Sequence, residues 1–438
     1  MKLRAILAIF LCGPINSALA LEVLGGVSGR YEKSNNILQV GDGEQSEDML
    51  VPRLDLTLVE ETGRVRGSGA LYLEDVDYRN DILQDQQQYG LTTAWVADVI
   101  ENRLQWLFED TASRRILDSR DTDISSNRTD QNILLTGPQL NFSANSRDEL
   151  LLSARYGHSW YGEDISFDSE RYVGRAELQH RLSEIATTGV HYERTRTHSL
   201  EDNVYDYDRD EAAVFISRAL TRSEIRLEAG YNRVTSETGE KFSGTLADLS
   251  WRQQWRQNFY TQFRGDWRLT DAAQETISNA IDGGVDIDLI VTNDVYELKT
   301  VSFASGWNSR VWRADLYLRG EQQDYETQLL DQDIVAAEIG LQRVISQKTV
   351  LNLFFDSSRR KFLDSDRVDD DYTLNARVNR IFSNLFFGAV GARQVQRRSS
   401  VSSADFDETV VYVEFGLRGS LLARERGREL RHSGQRVN

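Results

Sequence analysis

Proline is almost missing from this sequence: three residues in 438, one of them Pro14 near the amino terminus. Proline cannot donate to a β-ladder, so its scarcity suits a chain in which nearly every backbone N–H has a strand partner. Cysteine occurs once, at Cys12, which excludes a disulfide framework and leaves no thiol chemistry for the chain beyond it. After the first twenty residues no apolar run approaches the roughly 18 residues of a membrane-spanning helix. Basic surface is also short: 69 acidic against 51 basic side chains give a net charge of -18, which excludes nucleic acid as an expected partner. Neither a Gly-x-Ser-x-Gly nucleophile elbow nor a His-Glu-x-x-His pair occurs, so the chain does not read as an enzyme and no catalytic residue, cofactor or metal set is expected.

What is present begins with a leader. Lys2 and Arg4 precede the apolar run Ala5 to Cys12, and Ala18-Leu19-Ala20 is a small-x-small cleavage signal. Residues 1–20 therefore read as a secretory signal peptide and the mature chain starts at Leu21. Leu11 directly before Cys12 is a poor fit to a lipid-modification site.

The stretch Leu150 to Leu182 sets the pattern for the rest. Leu150, Leu152, Ala154, Tyr156, His158 and Trp160 alternate with Ser153, Arg155, Gly157, Ser159 and Tyr161. After an acidic linker, Tyr172, Gly174, Ala176, Leu178, His180 and Leu182 alternate with Arg171, Arg175, Glu177, Gln179 and Arg181. This is strand periodicity, with one apolar face and one charged face. A soluble sandwich would bury the apolar face; a membrane barrel turns it to lipid and encloses water with the other. The mean hydropathy of -0.50 does not decide between them, because membrane strands give only a weak, alternating signal.

Connection lengths favour the barrel. Short turns near Glu61 to Gly63, Asp98, Asn145 to Glu149, Ser183 to Ala186 and Ser346 to Lys348 alternate with long polar connections such as Lys33 to Asp48, Ala112 to Asp130, Asp271 to Asp294 and Arg398 to Asp407. An up-and-down meander keeps such alternation, with short periplasmic turns and longer extracellular loops; Greek-key crossings do not. The expected fold is all-β: one antiparallel transmembrane barrel of about 18 to 20 strands over residues 21–422. Aromatics at strand ends, among them Tyr31, Trp106, Trp160, Tyr172, Tyr192, Trp251, Trp267, Tyr296 and Trp312, read as interfacial girdles, and Pro138 reads as a bulge or break. An even strand number puts residues 423–438, with Arg424, Arg426, Arg428, Arg431 and Arg436, in the periplasm as a basic, disordered tail or a contact for an acidic partner.

The long loops collect aspartates that could hold divalent cations at the surface. Asp206-x-Asp208-x-Asp210 starts like an EF-hand loop, but Glu211 stands where the sharp-turn glycine belongs and Ser217 where the bidentate glutamate belongs, so solvated acidic loops are the better reading. The inferred lumen face carries Arg155, Arg175, Glu177, Arg226, Glu228, Arg264, Asp266, Arg268, Arg313, Asp315, Arg319 and Arg377, with aromatics such as Tyr161, Tyr260 and Tyr317. Ion pairs of this kind can brace a wall; collectively they also suit passage of a large hydrophilic solute through many weak contacts. His158 and Ser159 point to opposite faces and cannot act together.

Leu134 to Pro138 leading through Arg147-Asp148 into Leu150 to Tyr161, the segment Tyr207 to Glu211, and Asp294 to Lys299 ahead of Val301 to Tyr325 resemble β-barrel porins encoded in exopolysaccharide and PEP-CTERM-type gene clusters. The resemblance runs from about Leu50 through most of the mature chain and does not include the basic tail. It implies a barrel in the outer membrane of a Gram-negative bacterium, bathed in outer-membrane lipid. It further implies a part in polysaccharide export or surface assembly alongside periplasmic export components. A general or solute-specific uptake porin and a structural or adhesive surface barrel are the other readings of the same fold.

Overall fold

The computed structural model describes residues 21–162, 167–200, 206–282, 292 and 294–422; the expectations for the leader and the basic tail fall outside them. Twenty strands follow in chain order, each antiparallel to its sequence neighbours, from β1 (Glu22–Ser34) to β20 (Phe406–Leu422). β1 and β20 pair with each other, for example Tyr31 opposite Val413, so the sheet closes without an edge. The fold is an up-and-down β-barrel.

Alternation explains why these segments are strands and where each face points. Val27, Tyr31, Leu54, Tyr172, Val190, Val214, Ile216 and Phe415 all occupy the outward parity and are exposed. So much contiguous outward apolar surface has no place in water, where exposed patches stay within a few hundred Å². It is bounded towards the long loops by Tyr31, Tyr172, Tyr192, Tyr231 and Trp267, and towards the short turns by Trp106, Phe142, Trp307, Trp312 and Phe386. Those two rings are the interfacial girdles of a membrane barrel. The shortest strand has 13 residues, more than the 9–11 or so that cross a hydrocarbon core, and the surplus stands above the girdle on the long-loop side.

Two expectations are corrected. Pro138 neither bulges nor breaks its strand: β6 (Arg128–Ser143) runs through it, and the register against β5 (Leu104–Ile116) is unshifted. The ladder to β7 (Asp148–Tyr161) lapses only opposite Gly137 and Pro138. The missing N–H is thus absorbed at a local gap, where Gly137 lets the Ala154 carbonyl approach within 2.1 Å of where a Cβ would sit. Tyr296 is not a girdle residue. It faces inward, fully buried, with its ring 4.8 Å from that of Tyr325. The segment Ala212 to Leu220, apolar on both faces in the sequence, resolves into outward Val214 and Ile216 and inward Phe215, over whose ring Arg226 lies at 4.1 Å.

Candidate functional site: the lumen and its roofed mouth

Because side chains two apart on a strand share a face, the inward parity brings arginines beside carboxylates. Arg175 meets Glu177 at 2.5 Å, Arg226 meets Glu228 at 2.7 Å, Arg268 meets Asp266 at 2.9 Å and Arg313 meets Asp315 at 2.8 Å. Arg319 meets Glu321 at 3.2 Å, Arg377 reaches across to Glu414 at 2.8 Å, and Arg155 contacts Glu109. Arg264 lies beside the amide of Gln262. All twelve residues inferred for the lumen therefore sit on the inward parity, most of them in ion pairs with a carboxylate on the same or a nearby strand. Tyr161, Tyr260 and Tyr317 share that parity.

The lumen is not uniform along its length. Towards the short turns, inward residues such as Arg264 and Phe354 are exposed to the bore. Towards the long loops they are buried all round the barrel: Ser34, Glu47, Asn232, Gln323, Gln332 and Asp369 have no accessible surface. Glu47 is covered by the 79–85 connection, whose Asn80 and Ile82 N–H groups donate to it, and two further elements reach across the bore.

The first is a helix, α1 (Ala272–Asp282), which follows β13 (Phe259–Asp271) directly and turns inward. Asp271 caps it, its Oδ1 accepting the Gln274 N–H at 2.9 Å, and Glu275 in the first turn complements the helix dipole. Ala273 and Ile277, one turn apart, pack on Ile133 and Leu135 of β6 and on Val173 of β8 (Ser169–Ser183). The cap is also an anchor. Arg171 of β8 places Nη2 at 2.6 Å from Asp271 Oδ1 and donates from Nη1 to Gln274 Oε1 at 3.0 Å, while the Tyr207 hydroxyl donates to Asp271 Oδ2 at 2.8 Å. Thr270 donates to Glu275 at 2.7 Å, and Arg268 lies 3.2 Å from the same carboxylate.

The second is the loop 117–127 between β5 and β6. Asn127 staples it internally, donating to the carbonyls of Asp118 (2.8 Å) and Thr122 (3.1 Å) and accepting from the Asp118 N–H (3.0 Å). It reaches across the mouth to strands six to nine places away in the ring of twenty. There three arginines donate to three successive backbone carbonyls: Arg360 to Ser119 (3.4 Å), Arg367 to Arg120 (2.7 Å) and Arg397 to Asp121 (3.2 Å). Arg360 belongs to β17 (Thr349–Phe362) and Arg397 to β19 (Phe386–Ser399), with Arg367 in the loop after β17. Arg120 pairs with Asp364 at 3.4 Å on the far side, and the Asp123 N–H reaches Gln39 Oε1 at 3.1 Å. A cleft of about 510 Å³ at this crossing is lined by Asp118, Arg120, Asp121, Arg367 and Arg397 among others.

Sequence reasoning missed these anchors. Arg171 was legible as inward, but its partner Asp271 stood in a connection with no strand pattern. The one signal was Asp271 followed by Ala272, Ala273, Gln274 and Glu275, which is a helix start. Carbonyl acceptors such as those of residues 119–121 leave no mark in a sequence at all.

No protein-family model and no curated protein matches the chain. Among solved structures it is similar to the siderophore receptor PirA from Acinetobacter baumannii, at 8% identity over 92% of this chain and 81% of that one, with a TM-score of 0.49. It is also similar to OccK8 (OprE) from Pseudomonas aeruginosa, at 10% identity over 92% and 98%, TM-score 0.35, and to the copper transporter OprC, at 9% identity over 91% and 80%, TM-score 0.45. None of these likenesses says what passes through this barrel. The closed sheet with its lipid-facing band and paired girdles makes the chain a β-barrel of the Gram-negative outer membrane.

Proposed function

We propose that the chain is an outer-membrane channel for small hydrophilic solutes, entered from outside through a mouth that α1 and the loop 117–127 narrow. The observation that supports this is the pairing of a wet, charge-balanced lower lumen with an upper lumen closed by two elements that are anchored by side chains rather than built into the wall. Solutes that move through such a bore meet many weak polar contacts and no tight site. Arginines, carboxylates and the inward tyrosines Tyr161, Tyr260 and Tyr317 suit sugar-like or other polyhydroxy solutes.

Passage of a whole polysaccharide, which the family resemblance implies, needs both elements moved aside, with periplasmic export components as the source of that opening. The two readings separate by experiment. In planar bilayers the purified barrel should show small, steady conductance without any partner. Replacing residues 272–282 by a short Gly/Ser linker should raise that conductance severalfold and admit larger sugars in liposome-swelling assays. A barrel that is silent both intact and without α1 would count against the channel. Loss of surface polysaccharide in cells lacking the chain, with synthesis intact, would favour export.

A further inference from the structure

His191, Glu211 and Glu228 come from three consecutive strands, β9 (Ala186–Ser199), β10 (Tyr207–Ala219) and β11 (Ser223–Ser236), all on the inward parity. The register explains their convergence. His191 stands opposite Ala213, which stands opposite Gly230; Glu211 lies two residues along β10 from Ala213, and Glu228 two residues along β11 from Gly230 in the other direction. The small pair between them leaves a hollow that the three longer side chains fill from three sides. It is tight at the backbone, since a Cβ on Gly230 would lie 2.2 Å from the Ala212 carbonyl oxygen.

His191 Nε2 is 3.2 Å from Glu211 Oε1 and 3.7 Å from Glu228 Oε1, and one ligand atom from each of the three lies within 4.8 Å of the others. The His191 side chain has no accessible surface, and its Nδ1 has no hydrogen-bond partner among the described residues. Arg226 occupies the other oxygen of Glu228, Oε2, at 2.7 Å. That contact fixes the carboxylate with Oε1 turned to the imidazole, as an outer partner orients a metal ligand. Two carboxylates face one buried imidazole, with Arg226 on the far oxygen of Glu228 and the Arg209 and Arg268 charges near Glu211. A divalent ion held between the three side chains would take the imidazole nitrogen and one oxygen from each carboxylate as ligands. At bond lengths of about 2.0–2.2 Å, tetrahedral ligands stand roughly 3.3–3.6 Å apart, which the two His191 distances bracket closely.

We propose that His191, Glu211 and Glu228 form a site for one first-row divalent metal ion on the lumen wall, with a fourth position left to water or a passing solute. One nitrogen and two carboxylate oxygens match Zn²⁺ in geometry and chemistry better than the all-oxygen shells of Ca²⁺ or Mg²⁺. The site does not depend on the channel reading, and it differs from the acidic loops in being buried and in having a nitrogen donor.

The test uses the folded mature chain in detergent, stripped with chelator and titrated with ZnCl₂ in excess Mg²⁺, which saturates the loop carboxylates. One Zn²⁺ per chain should remain bound, and Co²⁺ in its place should give the visible absorption of a low-coordinate nitrogen and oxygen site. His191→Gln, Glu211→Gln and Glu228→Gln should each weaken binding about tenfold or more, whereas Asp315→Asn, elsewhere on the wall, should not. Heat-dependent gel migration reports whether each variant is still a barrel, and Glu211→Gln decides the matter if His191→Gln is not. No Zn²⁺ retained in Mg²⁺, or equal retention in all three variants, would overturn the site.

Discussion

The ion pair of Arg171 with Asp271 is the residue on which the inward helix turns. Both side chains are about 6% exposed, and a buried pair broken on one side leaves an uncompensated charge at a cost of about 3–5 kcal/mol. Arg171→Met should therefore release α1 rather than unfold the wall, seen as larger and noisier conductance with unchanged gel migration. Arg171→Lys, which keeps the charge but loses the fork to Gln274, should fall between. Gly137 makes the opposite kind of prediction. With only 2.1 Å to the Ala154 carbonyl and 2.7 Å to the Arg155 Cα, Gly137→Val has no room for its Cβ and should cost about 1–3 kcal/mol in barrel stability by urea titration, with little effect on conductance. Residues were legible from the sequence in proportion to how far strand parity alone decides them. Arg313 and Asp315 follow from a period of two. Tyr296 does not, because an aromatic at a strand end serves as girdle or as core depending on which parity it takes, and the sequence around it is polar and apolar on both.

Among elements, the loop 117–127 has a pH dependence of its own. Burial works to raise the Asp118 carboxyl, but the side chain and backbone N–H of Arg120 outweigh it, with the Arg367 charge adding to them, and the group titrates below its ordinary value. The Asp118 hydrogen bond in turn raises Arg120. A depressed carboxyl contributes stability that is full above its unfolded value, about 3.9, and is lost as pH falls through the folded one. The crossing should therefore hold unchanged from neutral pH to about 4 and loosen only below it. Conductance recorded from pH 7 to pH 3 should be flat and then rise, and Asp118→Asn should already show the acid-side value at pH 7. A rise beginning near pH 6 would place the acid-sensitive group outside this loop. Strands were readable as elements because turn chemistry and alternation agree along most of the chain. The helix was not, since a short segment whose apolar face is two small or medium residues, Ala273 and Ile277, gives little periodic signal within a 24-residue connection.

For the whole molecule, the number of strands could be read to within two, and the inside-outside assignment of most of their faces with it, because both depend on patterns repeated along the chain. The closure of the mouth could not, because it depends on contacts between segments a hundred or more residues apart, such as Arg171 with Asp271 and Arg360 with the carbonyl of Ser119. The pairing of β1 with β20 belongs to the same class and has its own consequence. Tyr31 and Val413 are ladder neighbours, so no partial product of synthesis is a finished wall. Until its last strand arrives, the polypeptide carries two open edges and a greasy face that invite self-association. Closure therefore waits on β20, and until then those edges need shielding.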